Sequence, residues 1–331
     1  MACDFPDSRQ TPLAEVDRAL VHALQIDPRA PWARIAQVLR VDAATAARRW
    51  AAIADAGIAW FTVRATAERD VGCGDVALVV LAGPVSPEEE VTWCALPWVL
   101  SVERTSVGLV LLVERHGGLW AVDSRLRETF ARPGREMRVE YAADVPRADS
   151  QWRLPVLEEQ WARSLEPAPV VAERMRPPRE EVVDEVTALL REDARMPLGA
   201  LASRLGVSDA TARRTVERLL GQGLVRVGCD VAMPRVGLGR GVVLRVEGWD
   251  APAAADEVLA HPSVHRLLTT VGPVRATVSL RLGALSELPA LEKKWSGIRV
   301  VDRWTVTAVL KRNGHLLGPD GRSTGPADTA A

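Results

Sequence analysis

Apolar and polar positions follow two periods in this chain, and both recur in its second half. Over roughly 180–192, 197–205 and 208–220, apolar residues return every three to four positions, the spacing of helices with one buried face. The stretches "DVALVVLAG" (75–83) and "GVVLRVEGW" (241–249) are short β-branched runs, which predict strands. A displacement of 166 residues sets Asp27 on Asp193, Arg29 on Arg195, Pro31 on Pro197 and Val41 on Val207. It also sets "ATA" at 44–46 on 210–212, Arg48 on Arg214 and Gly57 on Gly223, without a gap. Matches at turn and cap positions as well as apolar ones imply an internal duplication.

Each helical stretch is followed by a strand, a helix, two strands ("LPWVLSVERTSVGLVLLVER", 96–115; "HPSVHRLLTTVGPVRATVSLRL", 261–282), a helix (118–130; 284–295) and a last strand (136–142; 298–310). That is the ferredoxin-like order. The predicted fold class is α+β, with two winged helix-turn-helix domains alternating with two ferredoxin-like βαββαβ domains. The expected boundaries are 13–62 and 180–230 for the helical domains, and 70–145 and 238–312 for the ferredoxin-like ones. A linker at 146–179 holds a short helix near 156–165 and a Pro-rich extended run; a tail at 313–331, poor in apolar residues, is expected to be disordered.

In the second helical unit the joint "SRLGVSD" predicts a helix end near Leu205, a left-handed turn at Gly206, Val207 plugging the core and Ser208 capping the next helix. The first unit has Arg40 in the Gly place and Asp42 in the cap place. On a wheel, Ala212, Val216, Leu219 and Leu220 share the core side of 208–220, while Ala210, Thr211, Arg214 and Arg218 point away and Arg213 flanks them. A small tip with outward arginines suits close approach to DNA phosphates and guanine edges. The candidate DNA contacts are therefore Ser208, Ala210, Thr211, Arg213, Arg214 and Arg218, with Asp42, Thr45, Arg48 and Arg49 in the first unit. There Ala46, Trp50 and Ile53 form the core side. Arg213 and Arg218 correspond to Ala47 and Ala52, so the first unit is expected to bind more weakly.

Charge tempers this picture. The net charge is −1, so no polyanion partner follows from the total. Lys occurs only at Lys293, Lys294 and Lys311, so arginine richness partly reflects codon usage. Neither helical unit is net basic: Glu181, Asp184, Glu185, Glu192 and Asp193 crowd the second unit's first helix, which must lie away from phosphates.

Other chemistry is sparse. Cys3, Cys73, Cys94 and Cys229 match no metal-ligand spacing and read as reduced thiols. His261 and His265, four apart but with Pro262 between, read as a strand start instead of a metal site. No phosphate loop and no Ser-His-Asp set is apparent, so neither a metal, a cofactor nor a catalytic residue is expected, and the chain is expected not to be an enzyme. Neither a signal peptide nor an apolar run of about 18 residues is seen, which points to the cytoplasm and no membrane contact. Of eleven Trp, eight (Trp93, Trp98, Trp120, Trp152, Trp161, Trp249, Trp295 and Trp304) lie in or beside the strand-rich units and linker; they suit either core filling or a pocket for an apolar effector.

The motifs "VDRALVHALQIDPRAPWARIAQVLRVDAATAARR" and "VVDEVTALLREDARMPLGALASRLGVSDATARRTVERLLGQGLV" resemble the Lrp/AsnC transcription regulators, and the strand-rich units resemble that family's RAM domain. The resemblance implies a regulator of double-stranded DNA whose RAM sheets pair back to back in homo-oligomers, with small effectors such as amino acids between them. A tandem chain supplies both halves itself, as an intramolecular pseudo-dimer. The effector residues implied are Thr270, Gly272 and Arg275. Arg275 stands where the family often has Asp, which favours an anion or another metabolite over an amino acid. Two other readings stay open: a tetrapyrrole enzyme like the sirohaem decarboxylases, which resemble this family in fold, and a protein-interaction module.

Overall fold

The structure, a computed structural model, describes residues 12–65, 76–114, 119–167, 178–247, 252–272, 274–295 and 298–327. Trp249, Cys3 and Cys73 lie outside the described residues. The fold is α+β, and its elements repeat. The first helical unit is α1 (Glu15–Ile26), α2 (Trp32–Leu39), α3 (Ala43–Asp55) and strand β1 (Ala59–Ala65). Then come β2 (Val76–Ala82), α4 (Pro87–Ala95), β3 (Val99–Thr105), β4 (Gly108–Glu114), α5 (Leu119–Phe130) and β5 (Glu136–Arg147). A 3-10 turn (Asp149–Gln151) and α6 (Glu159–Leu165) lead to the second unit: α7 (Glu180–Glu192), α8 (Leu198–Leu205), α9 (Asp209–Gly221) and β6 (Val225–Val231). The second strand-rich half is β7 (Arg240–Glu247), α10 (Pro252–Leu259), β8 (Val264–Thr270), β9 (Ala276–Leu282), α11 (Leu288–Lys294) and β10 (Arg299–Arg312). The hairpin β11 (His315–Leu317) and β12 (Ser323–Pro326) follows.

The two strand-rich halves do not stack as separate back-to-back sheets. Within the first half the order is β3-β4-β2-β5, and within the second β8-β9-β7-β10, each fully antiparallel. The last strand of each half is long enough to cross into the other. β5 pairs with β2 through Tyr141 and then with β8 from Ala142 to Arg147; β10 pairs with β7 through Val306 and then with β3 from Val306 to Lys311. Eight strands thereby close into a barrel, which leaves neither half with a free edge. α4 and α5 cover one outer face through Trp93, Val122, Leu126 and Phe130. On the other half, Val258, Leu291 and Trp295 do the same from α10 and α11. The barrel interior is apolar where Leu78, Val80, Leu112, Val243, Leu268 and Trp304 meet.

The rest of the interior is charged, and the charges are divided between the halves. Arg245 donates to Glu140, and Arg281 donates to Glu103. Arg266 lies 3.8 Å from Glu103 and donates to Asp149 at 2.9 Å. The first half and the turn after it hold the carboxylates, and the second half holds the guanidinium groups. Burial opposes ionisation of Glu103 and Asp149, but Arg281 and Arg266 at Glu103, and Arg266 and His265 at Asp149, outweigh it and hold both below the usual carboxylate range.

Residues 313–327 are ordered, against the expectation of a disordered tail. β11 and β12 extend the sheet from β10, Ser323 N–H donates to Gly57 O at 2.8 Å, and the His315 ring stacks on Trp60. Gly57 has φ +64°, and a Cβ there would sit 2.3 Å from Ser323 O, so both the turn and the hairpin contact require glycine. The low apolar content of this segment misleads because it is held by backbone bonds, by the His315–Trp60 stack and the Asn313–Asp230 hydrogen bond, and by one buried residue, Ala327.

Candidate nucleic-acid interface

The two helix-turn-helix joints are built alike from different residues. Gly206 adopts φ +66°, and Val207 N–H closes the turn onto Ala202 O at 3.0 Å. Arg40 adopts φ +53°, and Val41 N–H closes onto Ala36 O at 3.1 Å. Val207 is exposed instead of plugging the core; its backbone, not its side chain, makes the joint. Ser208 then caps α9 by accepting from Thr211 N–H at 3.3 Å, and Asp42 caps α3 by accepting from Thr45 N–H at 2.7 Å.

α9 buries Ala212, Val216 and Leu219 against Leu189, Leu190 and Leu201, with Leu220 partly buried beside them. The opposite face presents Ser208, Ala210, Arg213 and Arg214 to solvent, with Thr211 and Arg218 half-buried. Arg213 and Arg214 form no ion pair among the described residues. The acidic side chains Glu181, Asp184 and Glu185 are carried by α7, whose Val186, Leu189 and Leu190 face the same core, so Glu181 and Glu185 point away from it.

α3 presents fewer unpaired guanidinium groups. Ala46, Trp50 and Ile53 are buried as the wheel requires, and Arg48 is exposed. Arg49 is bound to Asp17 of α1 at 2.9 Å, so it ties the helix to its own unit. Thr45 Oγ1 donates to Asp42 at 2.5 Å and accepts from Arg48 at 3.3 Å. These Thr45 bonds hold the Asp42 carboxyl below its usual range, which fixes a negative charge at the helix tip.

The two units meet through an antiparallel ladder of β1 with β6, a pairing between copies that sequence patterns do not suggest. Its register runs from Ala59 opposite Val231 to Ala65 opposite Val225, centred on Thr62 opposite Gly228. α1 packs on β6 and α7 on β1. The first unit carries two further attachments. Leu157 N–H donates to His22 Nδ1 at 2.9 Å, Leu154 N–H to Gln25 Oε1 at 2.8 Å, and Arg34 reaches Ser164 O from α2 at 3.0 Å. The β11–β12 hairpin is the second. Trp152, Leu154 and Leu165 complete this unit's core, so the linker belongs with the first helical unit and not with the strand-rich half it directly follows.

Thr270, Gly272 and Arg275 share the β8–β9 turn, where Thr270 Oγ1 donates to Val274 O at 2.8 Å and Gly272 and Arg275 are exposed. A cavity of about 320 Å³ opens at the other end of β8, lined by Arg147, Trp152, Arg153 and Pro262. The tryptophans divide: Trp93, Trp152, Trp295 and Trp304 are core residues, while Trp120 is 85% exposed at the start of α5. His265 is buried in β8, 3.0 Å from Asp149. Among the described residues no group of three or more His, Cys, Asp and Glu is placed to hold a metal. No helix of the described residues is long and apolar enough to cross a membrane. Sequence reasoning misses the interior arginines, although Arg245 and Arg281 stand within the buried runs "VVLRV" and "VSLRL", where a charge needs a partner.

Comparison with known proteins agrees with this architecture. Residues 13–52 match the AsnC-type helix-turn-helix domain, and residues 188–226 match the winged helix-turn-helix DNA-binding domain. The chain thus carries two helix-turn-helix domains. No curated protein sequence matches it. Among solved structures, the siroheme decarboxylase NirDL in co-complex with an iron-uroporphyrin III analogue is similar at 15% identity and a TM-score of 0.53. The match covers 90% of this chain and 93% of that one. A second structure of NirDL is similar at 14% identity and a TM-score of 0.52, with the same coverage. Escherichia coli AsnC matches at 18% identity over 40% of this chain and 94% of its own, with a TM-score of 0.35. The expectation that the chain is not an enzyme is overturned by the likeness to NirDL: an enzyme uses this fold from end to end, so the fold gives no ground for excluding catalysis.

Proposed function

We propose that this chain is a sequence-specific DNA-binding transcription regulator of the Lrp/AsnC type, acting in the cytoplasm, with α9 as its principal reading helix. The observation that carries the reading is the exposed Arg213 and Arg214 on a Ser-capped helix whose other face is core. A guanidinium offered in this way suits bidentate pairing with guanine or phosphate. Arg275 at the β8–β9 turn suits an anionic metabolite as effector. Arg214→Ala with Arg218→Ala should weaken operator binding and lower its salt slope by about 0.9 for each phosphate no longer neutralised. Unchanged retardation at two salt concentrations would remove the assignment.

The end-to-end likeness to a siroheme decarboxylase favours a second reading, a tetrapyrrole-binding enzyme. Against it, Arg245, Arg266 and Arg281 already meet carboxylates of the first half or its linker, and so are not free for a substrate's carboxylates. Titration with an iron porphyrin separates the two: a shifted Soret band supports the enzyme, and an unchanged spectrum with retained DNA binding supports the regulator.

A further inference from the structure

We infer that one copy of this chain clasps one DNA duplex at two inverted half-sites of unequal strength, the strong one under α9 and the weak one under α3. This rests on the DNA-binding reading above. The β1–β6 register is the first support. Thr62 and Gly228 are equivalent positions of the duplication, and they face each other. Ala59 faces Val231, and Ala65, the equivalent of Val231, faces Val225, the equivalent of Ala59. Only a local twofold axis through the Thr62–Gly228 pair produces that register.

A second, independent contact obeys the same axis. Arg29 donates to the carbonyls of Ala194 and Met196, at 2.5 and 2.9 Å. Its equivalent Arg195 donates to the carbonyls of Pro28 and Ala30, at 2.5 and 2.6 Å. Pro28 and Ala30 are the equivalents of Ala194 and Met196. Each arginine therefore does to the other unit what is done to its own, the mark of an isologous interface.

The twofold of an antiparallel ladder that pairs equivalent residues stands normal to the ribbon. Rotation about such an axis returns each face of the ribbon to itself. The two helical units accordingly lie on the same face, and α3 and α9 advance in the same direction along the axis. Two reading helices related in this way match inverted half-sites on one side of a duplex.

The halves are unequal because they differ in the guanidinium groups they offer. Each tip carries one carboxylate, Asp209 in the first turn of α9 and the capping Asp42 of α3. α9 offers Arg213, Arg214 and Arg218, whereas α3 offers Arg48, with Arg49 held by Asp17. The first unit is also the anchored one, held by the linker and the β11–β12 hairpin.

The test selects duplexes bound by the full chain from a random library and then alters the selected site. Native mass spectrometry should find one chain per duplex. Scrambling the strong half-site should weaken binding about 100-fold or more, and scrambling the weak one about tenfold. Inserting half a helical turn, about 5 base pairs, between them should cost as much as losing the weak half-site, because the ladder fixes the two units. Arg48→Ala should erase the penalty for scrambling the weak half-site only, and Arg214→Ala should reduce that for the strong one. Two chains per duplex, a single half-site sufficient for full affinity, or indifference to the half-turn insertion would each overturn the inference while leaving the DNA-binding reading intact. Failure to select any duplex would remove that reading and this inference with it.

Discussion

Arg29 and Arg195 hold the same place in the two helical units, and each donates to the backbone carbonyls that flank the other. Both are half-buried, and burial, the leading influence, lowers both pKa values, with the mutual repulsion of the pair adding to it at Arg195. The exchange is not quite symmetric: Arg195 also lies over the Trp32 ring, 4.0 Å from its centroid, whereas Leu198 stands at the position equivalent to Trp32. Arg29→Ala should destabilise the junction by about 1.5–3 kcal/mol, the range for hydrogen bonds from a charged donor. Arg195→Ala should cost about 0.5–1 kcal/mol more, because it also removes a cation–π interaction. Denaturant midpoints of both variants measure this, and equal losses would mean that the ring is energetically silent.

The charged interior predicts a sign reversal. Glu103 sits between Arg281 and Arg266, all three buried. Glu103→Gln should destabilise the protein by about 3–5 kcal/mol, because two guanidinium groups are left in the barrel with less compensation. Glu103→Leu combined with Arg281→Leu should recover part of that loss, since the pair carries its own desolvation cost. Equilibrium unfolding of the single and double variants decides the matter; a double variant no more stable than Glu103→Gln would show the pair to be net stabilising.

The turn at Arg40 gives a stabilising substitution. Its φ of +53° is strained for a side chain, and Gly206 takes the same conformation without strain. Arg40→Gly should raise stability by about 1 kcal/mol, because the φ strain relieved exceeds the flexibility added to the unfolded chain. A thermal melt of this variant reads the effect directly, and a lowered midpoint would show that the Arg40 side chain compensates for its backbone.

How much of the molecule is legible in the sequence depends on what each feature requires. The helices, their caps and the left-handed joint follow from local signals such as Ser208, Asp42 and Gly206, because a cap bond spans three residues. The duplication is legible because turn residues repeat along with apolar ones. The β1–β6 ladder is not, since two strands of similar pattern pair with each other or within their own units equally well by sequence; only the Arg29–Arg195 exchange and the packing of α1 on β6 choose. The closed barrel is hidden because nothing in the composition of β5 and β10 says that a strand serves two sheets, although their lengths of 12 and 14 residues are the physical cause. On α3, Arg49 looks available at a core edge, and its partner Asp17 lies 32 residues away, beyond any local pattern.

Buried groups of opposite sense set how stability varies with pH. Asp230 on β6 is raised to about 6, first by burial, against the pull of Arg312 and a hydrogen bond from Asn313, with Asp149 adding repulsion. His265 on β8 is lowered to about 4, first by burial, with Asp149 opposing and Arg312 and Arg281 assisting. His22, which must stay neutral to accept from Leu157, is also lowered to about 4 by burial and by Arg153. A raised acid binds its proton more tightly folded than unfolded. Its contribution is therefore full below about 3.8 and is lost as pH rises through about 6. A lowered histidine behaves in the opposite sense: its contribution is full above about 6.5 and is lost as pH falls through about 4. Between pH 4 and 6 the histidines make stability fall on acidification while Asp230 offsets part of the fall. Asp230→Asn keeps an acceptor for Asn313 and removes the buried charge. It should raise stability at pH 7 by about 2–3 kcal/mol, from a shift of about two pK units. It should also steepen the loss between pH 6 and 4, because the offset is gone. Unfolding free energies across pH 4–8 check both parts: a variant no more stable at neutral pH, or one with a shallower acid limb, would place the cost of the buried charge elsewhere than on Asp230.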